Sequence, residues 1–445
     1  MLYSYDLMEH VAQREERDCP LSKECLEAIA SHTSRYGETR LPEKWVCSES
    51  YKALSEAFKQ FDKPYNRRIM RQIKRGIADK DLTKLFYFKE QQFKTLENFG
   101  SNYVSTKAWT NNFKLAVKMV KESMRIVKLE PALIESENDV HRNLSTLDSS
   151  AGFLAYGKKK KDVIPEMVEE TLKLKQLVAE TDEFSEIVSN PYIALTRSQV
   201  GTLSDMCVYK RPLTKEGSFK WKTRLIWCGS AETTLFESQY ARPLINYLKS
   251  WSNIAMGKSP KQIRSQALAI GDMIYWWSVD YSKYDSTVQS WLIKEAFKII
   301  KEFFDEKYHK EIDYCCYDFI NSKILMPDGK IYVTNKGIPS GSYFTQIIGS
   351  ICNALMLLTY LSHVVGTDEK ALRLQFTAYN GELAFSCLGD DNLFGFSRKL
   401  DFESLRGYFK NNFGIAIDDE TKCDMGVKGD MPAYLKRKWS IFGEY

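Results

Sequence analysis

The sequence is short of the residues that most readily announce a chemistry. Five His and ten Cys are scattered through 445 residues. No Cys pair at zinc-ligand spacing is answered by a second pair, and adjacent Cys315 and Cys316 lie in an aromatic stretch. This predicts reduced core or surface thiols rather than a disulfide framework or a zinc site. No Walker-type glycine loop is present, which argues against a small-molecule kinase. The N-terminus, MLYSYDLMEHVAQREERD, carries acids and no apolar stretch, so no signal peptide is expected. Internal repeats and low-complexity tracts are absent too. The excess of one sign of charge is small: a net +5 is compatible with a nucleic-acid partner and equally with many neutral enzymes. One apolar run, 347–365, has the length of a membrane span. Ser350, Asn353 and His363 interrupt it, so a buried core helix is expected. The expectation is a soluble, intracellular-type protein with no membrane partner.

What is present is an ordinary globular composition, 44% hydrophobic and 27% charged. Residues 1–145 read as mostly helical, with amphipathic stretches at 82–99 and 112–127. The run NRRIMRQIKR at 66–75 places five basic residues in ten, as a solvated helix face or an RNA contact. A second basic run, 158–161, follows Gly157 in a predicted loop. From about 270 the pattern changes. Residues 273–279 (MIYWWSV) predict a buried strand, 286–304 a helix, and ILMPDGKIYVT a hairpin turning at Asp328-Gly329. A Gly/Pro/Ser loop at 337–342 leads into the long apolar helix. Residues 382–388 and 393–396 predict two strands joined by a tight turn at Gly389, Asp390 and Asp391. Strand, helix, hairpin, helix, hairpin in that order, with helices on one face, predicts an α+β sheet domain.

The chemistry-bearing residues fall inside this series. Asp280 ends the first strand, where a carboxylate can hold a metal at a sheet rim. Asp390 and Asp391 share a turn, where two carboxylates crowd one another unless a cation neutralises them. Two hard dications with oxygen ligands suit an in-line phosphoryl transfer. A lone Gly-Asp-Asp is more often a solvated β-turn, so the middle element decides. SGSYFTQIIGSICN sets Thr345 and Asn353 two turns apart on one helical face, with Gly349 midway on a small-residue track where a ligand could pack. Ser340 and Ser342 read alternatively as helix caps. A buried Asn needs a partner, and Asp285, five residues after Asp280, is the expected one.

D-x₄-D, then S-G-x₃-T-x₇-N, then G-D-D resembles motifs A, B and C of viral RNA-dependent RNA polymerases in their usual order. The string GIPSGSYFTQIIGSICN is similar to the partitivirus and picobirnavirus group of double-stranded RNA viruses. FKWKTRLIW, with Lys220, Lys222 and Arg224 on one side of an extended segment, resembles the basic finger motif that holds the incoming triphosphate. An exposed edge strand protected by charge is the alternative. Leu225 stands where relatives often have Pro. LDSSAGFLAYGKKKK resembles the template-entrance motif, with Ser149, Ser150 and Gly152, although Ala151 replaces a common Pro. FGIAIDDETKCDMG resembles motif D, which makes Lys422 the expected general acid toward pyrophosphate if its pKa is lowered. An exposed loop lysine is the alternative. AYLKRKWSIFG resembles the motif E hairpin, with Tyr434 and Leu435.

The resemblance spans roughly 145–440 and implies a right-hand polymerase fold. Residues 1–145 would form an N-terminal helical region with fingertips, 146–270 fingers, 271–440 palm with inserted finger elements, and 441–445 the start of an incomplete or absent thumb. It implies Mg²⁺, or Mn²⁺ in its place, on Asp280 and Asp390 with Asp391 supporting. Asp285 and Asn353, assisted by Ser340, Gly341 or Thr345, would bind the nucleotide and read its ribose 2′-hydroxyl. RNA template and product, ribonucleoside triphosphates and a viral capsid protein are the implied partners, and the virion interior or host cytoplasm the implied location. A reverse transcriptase shares the palm, but Asp285 and Asn353 argue against it. A catalytically inactive polymerase-like RNA-binding protein is the alternative from another class.

Overall fold

The computed structural model describes residues 3–5, 82–85, 89–100, 104, 110–196, 199–202, 225–378, 381–441 and 443–444. The basic run at 66–75 and the cations Lys220, Lys222 and Arg224 lie outside the described residues.

The fold is α+β and is built around the helix Thr345–Val365, whose sequence is predominantly apolar. A helix with so few polar positions has to be buried over most of its surface. By length and composition it could cross a membrane, but 89% of its apolar window is buried inside the protein. Helices Asn111–Met124, Ser290–Lys301, Glu369–Phe376 and Phe402–Phe413 surround it. Phe113, Phe297, Phe344 and Phe409 fill the spaces between them as one apolar core.

A four-stranded antiparallel sheet lies against this helix in the order Phe385–Leu388, Asp391–Phe396, Tyr275–Ser278, Asp424–Val427. Phe394 pairs with Trp277 and Phe396 with Tyr275. Aromatic side chains in this register bury large areas, and Trp277 packs edge-on against Phe394, Phe396 and Phe402. At Gly426 a Cβ would collide with the Trp276 ring, so the absence of a side chain there lets the indole lie flat across the edge strand.

Three sequence expectations are corrected. The hairpin Lys323–Leu325 and Ile331–Val333 forms as expected but joins a separate five-stranded sheet with Tyr3–Tyr5, Tyr192–Thr196 and Leu225–Cys228. Its inward residues Ile324, Leu325 and Ile331 find their apolar partners there, among Phe153, Ile193 and Trp227. The stretch 82–99 is divided: Leu82–Leu85 is a strand that pairs with Gln199–Thr202, while Lys89–Glu97 is helical. The helix expected at 286–304 is likewise split into Tyr284–Thr287 and Ser290–Lys301. Between them Val288 is extended, and the Gln289 side chain donates to Thr287 O and accepts from Val104 N.

Candidate active site

The sheet brings the three predicted carboxylates to one rim. Asn392, which follows Asp391, turns its side-chain amide onto Val279: Oδ1 accepts from Val279 N at 3.1 Å and Nδ2 donates to Val279 O at 3.0 Å. This side-chain clamp continues the pairing beyond Trp277 and holds Asp280 beside the Gly389-Asp390-Asp391 turn. Asp280 and Asp390 are exposed at the rim and Asp391 is half-buried. The partial loss of solvent raises the Asp280 carboxyl, and Asp418 and Asp390 raise it further, against the opposing pull of Lys436 and Lys422. Burial first, then Asp390, pushes Asp391 up to about 6, with Lys436 again opposing. Carboxyls raised by burial and by neighbouring acids in this way are short of positive charge. Among the described residues no three acidic, His or Cys side chains form a ready-made metal cage. The donor set, three hard oxygen ligands in mutual repulsion, fits a hard dication whose coordination is completed by other oxygens.

The turn is positioned by the core helix. Gly349 faces it so closely that a Cβ would stand 3.1 Å from Gly389 Cα. Ser350 Oγ accepts from Gly389 N at 2.9 Å, and Asn353 Nδ2 donates to Gly389 O and Asp390 O at 2.9 and 3.1 Å. Asn353 Oδ1 accepts from the Tyr281 hydroxyl at 2.9 Å, and the Tyr284 hydroxyl donates to Gly349 O at 2.7 Å. Asn353 therefore has the partners a buried amide requires, but they are Tyr281 and the Gly389-Asp390 backbone rather than Asp285. Lys283 adopts a left-handed conformation, φ 58°, and starts the short helix Tyr284–Thr287. That helix leaves Asp285 exposed while Tyr281 and Tyr284 stack inward. The small-residue track at Gly349 is also filled from within, by the turn itself.

The loop at 337–342 is fixed on two sides. Ser340 Oγ accepts from Trp227 N at 3.1 Å. Gly341 passes so close to the strand Leu225–Cys228 that a Cβ would fall on Trp227 O and within 2.8 Å of Gly229 N. Thr345 Oγ1 lies 2.6 Å from Pro339 O and 2.7 Å from Ser342 O, closing the loop onto the helix start. On the far side is Glu237, fully buried, which accepts from Ser342 Oγ at 2.7 Å and Tyr343 N at 2.6 Å. Burial raises its carboxyl to about 8, against the effect of those two donors.

The residues expected at the template entrance, Ser149, Ser150 and Gly152, sit against the same strand end. Gly152 has φ +68°, and a Cβ there would meet the carbonyl of Gly229. Ser149 Oγ and Ser150 O accept from Lys160 Nζ at 3.1 and 2.9 Å. The basic run at 158–161 is thus largely spent within the fold: Lys160 is buried beneath the serines, and Lys159 and Lys161 pair with Asp148. Lys422 departs from expectation. Its ammonium is exposed and 2.9 Å from Asp418, and that bond raises its pKa instead of lowering it. The motif E segment is a hairpin, Ala433–Tyr434 with Arg437–Ser440, turned by Leu435 and Lys436 at φ 54° and 59°.

Sequence reasoning missed Asp418, Glu237, Asn392 and Tyr281. Asn392 alone carried a local signal, its place directly after the two aspartates. Glu237 and Asp418 act through contacts formed only by the fold.

Residues 75–441 match the viral RNA-dependent RNA polymerase family. The chain is 35% identical over 215 residues to an RNA-directed RNA polymerase of Cryptosporidium parvum virus 1 (strain KSU-1), an alignment covering 44% of this chain and 37% of that protein. It is 24% identical over 339 residues to the genome polyprotein of Human parechovirus 5 (strain CT86-6760), covering 72% of this chain and 14% of the polyprotein. A similar likeness, 24% over 336 residues, links it to the genome polyprotein of Human rhinovirus A serotype 89, at 71% of this chain and 13% of that one. The chain thus spans well under half the length of these relatives. With its central antiparallel sheet, its carboxylate rim and a family match over most of its length, the chain belongs to the viral RNA-dependent RNA polymerases and has their right-hand fold.

Proposed function

We propose that this chain carries out templated RNA synthesis from ribonucleoside triphosphates, replicating and transcribing a viral RNA genome of the double-stranded type. The observation that carries this reading is the convergence of Asp280, Asp390 and Asp391 on one rim, their turn fastened to the core helix by Ser350 and Asn353. Mg²⁺, with Mn²⁺ as a substitute, would be held by Asp280 and Asp390 with Asp391 supporting, and would supply charge stabilisation to the attacking and leaving oxygens. In phosphoryl transfer the protein acts mainly by positioning and electrostatics. Here that task falls to the sheet rim and to the helix. Exposed Asp285 is assigned to the ribose 2′-hydroxyl, while Asn353 holds the turn that carries Asp390. Ser340, Gly341 and Thr345 shape the loop against which the nucleotide is seated. Lys220, Lys222 and Arg224 would face the triphosphate, and Ser149, Ser150 and Gly152 the template. Lys422 is assigned to the leaving pyrophosphate as a cation, and its pairing with Asp418 would have to open for it to give up a proton.

In this reading residues 146–270 are fingers and 271–440 palm with inserted finger elements. RNA, ribonucleoside triphosphates and a capsid protein are partners, and the virion interior and host cytoplasm the sites of action. The test is incorporation of labelled ribonucleotide on a single-stranded RNA template with Mg²⁺, comparing the chain with its Asp390→Asn form. Template-dependent product from the parent alone is expected. A near-normal rate in the variant would remove the triad from the chemistry, and RNA binding without incorporation by the parent would favour an inactive RNA-binding role. Preference for deoxyribonucleotides would point to a reverse transcriptase.

A further inference from the structure

We propose that Glu237 is a positioning residue that sets the shape of the 337–345 loop and thereby governs affinity for the incoming nucleotide rather than the rate of chemistry. The inference rests on the polymerase reading and names a determinant outside its sequence motifs. Glu237 lies on the helix Ala231–Leu248, 2% exposed, behind the loop and away from the carboxylate rim. Its two oxygens take the Ser342 hydroxyl and the Tyr343 amide, one each. Ser342 Oγ in turn accepts from Phe344 N at 3.1 Å, so a single carboxyl organises three consecutive residues at the point where loop becomes helix. On its opposite face the loop is held by Ser340 to Trp227 and by the close passage of Gly341 over the same strand. Glu237 is therefore one of several fastenings of this segment, beside Ser340 at Trp227 N, the Gly337 and Ile338 amides on Val288 O and Asp285 O, and the Tyr343 hydroxyl on Asn143 O, and it is the one that takes the Ser342 hydroxyl and the Tyr343 amide.

The chemistry of this fastening is unusual for a purely structural contact. No lysine or arginine among the described residues is paired with Glu237, and the charged group that acts on it is another buried acid, Asp318. Tyr192 and Cys315, the other titratable neighbours that feel its charge, are neutral. Burying an uncompensated carboxyl is costly, and an amide could hold the same two residues at lower cost, its oxygen accepting from Tyr343 N and its NH₂ donating to Ser342 Oγ. The same helix start leads to Ser350 and Asn353 one to two turns on, which fasten the Asp390 turn. A change in the loop anchor would therefore alter where the nucleotide sits relative to an otherwise intact carboxylate rim.

The test uses the full chain with Glu237→Gln, Glu237→Ala and Ser342→Ala. Incorporation kinetics on a single-stranded RNA template are measured beside hydrogen exchange at the Tyr343 and Phe344 amides. Glu237→Ala and Ser342→Ala are expected to raise KM for the nucleotide roughly ten-fold with kcat within about three-fold of the parent, a loss of uniform binding. Both should release the two amides to exchange, and Glu237→Gln should restore both readouts. Unchanged KM and unchanged amide protection in Glu237→Ala and Ser342→Ala would overturn the proposal, as would a loss confined to kcat. Ser342→Ala removes the contact from the loop side without opening a cavity at Glu237, which keeps the test decisive if Glu237→Ala fails to fold. If the parent itself incorporates nothing, the polymerase reading fails. Amide exchange then decides the anchoring role on its own, release supporting it and unchanged protection overturning it.

Discussion

The hydroxyl of Tyr281 makes one of the hydrogen bonds that join the segment after Asp280 to the core helix, and its removal gives a clean perturbation. Tyr281 is buried and stacks on Tyr284 and Phe409, so Tyr281→Phe keeps the ring contacts and deletes one bond. Asn353 Oδ1 loses its donor at a site with no solvent access. Stranding a buried acceptor costs about 1–3 kcal/mol, more than the roughly 1 kcal/mol net worth of an ordinary hydrogen bond. Asn353→Ala removes that bond and the two that hold Gly389 O and Asp390 O, for about 3 kcal/mol or more once the small cavity is included. In the double variant nothing is stranded at Oδ1, so the two changes should be sub-additive by about 1–2 kcal/mol. Denaturant unfolding followed by tryptophan fluorescence reads the right part of the molecule, because Trp276 and Trp277 lie in the central sheet. A coupling within about 0.3 kcal/mol of zero would refute the claim that the Tyr281–Asn353 bond fastens the turn.

The raised Asp391 carboxyl carries a stability cost: with a pKa of about 6 against an ordinary 3.8, the fold binds this proton more tightly than the unfolded chain does. Stability contributed by this group therefore falls as pH rises from about 4 to about 6 and stays low above that. Asp391→Asn should raise the metal-free unfolding free energy by up to about 2–3 kcal/mol at pH 8 and by almost nothing below pH 4, measured as denaturation midpoints at the two pH values. Gly341→Ala, whose Cβ would fall on the backbone of Trp227 and Gly229, should cost about 3 kcal/mol or prevent folding, as read from melting temperature and soluble yield. Gly407→Ala, in the helix Phe402–Phe413 with nothing within 4 Å of its added carbon, should instead stabilise by about 0.5–1 kcal/mol. Lys422→Met should leave stability within about 0.5 kcal/mol, because its ion pair with Asp418 is exposed, yet slow incorporation. An unchanged rate would place the ammonium outside the reaction.

The strand that ends at Asp280, the Gly389-Asp390-Asp391 turn and the buried helix were readable from alternation, turn residues and the length of the apolar run. Each is a local pattern. Asn353 was recognised as a buried amide in need of a partner, and that much is general physical chemistry. The partner was misassigned because Asp285 is nearer in motif spacing, whereas the backbone twist at Lys283 gives the inward places to Tyr281 and Tyr284. No propensity at Lys283 announces a left-handed residue. The hairpin at 323–333 was legible as a hairpin, but its sheet was not. Its neighbours Tyr192–Thr196 and Leu225–Cys228 are about 100 residues or more away in sequence, and the choice between sheets depends on which apolar faces remain uncovered. Glu237 and Asp418 read as ordinary acids until the fold removes solvent from one and sets the other beside Asp280.

These contacts divide the site into a rigid half and an adjustable half. The carboxylate rim is fastened to the buried core helix by Ser350 and Asn353, and to its own sheet by Asn392. Displacing it would require breaking hydrogen bonds and opening a packed core at once, and cores are close-packed and yield little. The loop facing it is held by individual polar fastenings, among them those at Glu237, at Trp227 N and at the Asp285 and Val288 carbonyls, and by the tight passage of glycines that tolerate no side chain. Such a loop can change shape by exchanging hydrogen bonds without disturbing the core. On the proposed reading, chemistry that depends on fixed charge resides on the rim, and discrimination between substrates on the loop. Variants of the first kind should lower kcat, and variants of the second should raise KM.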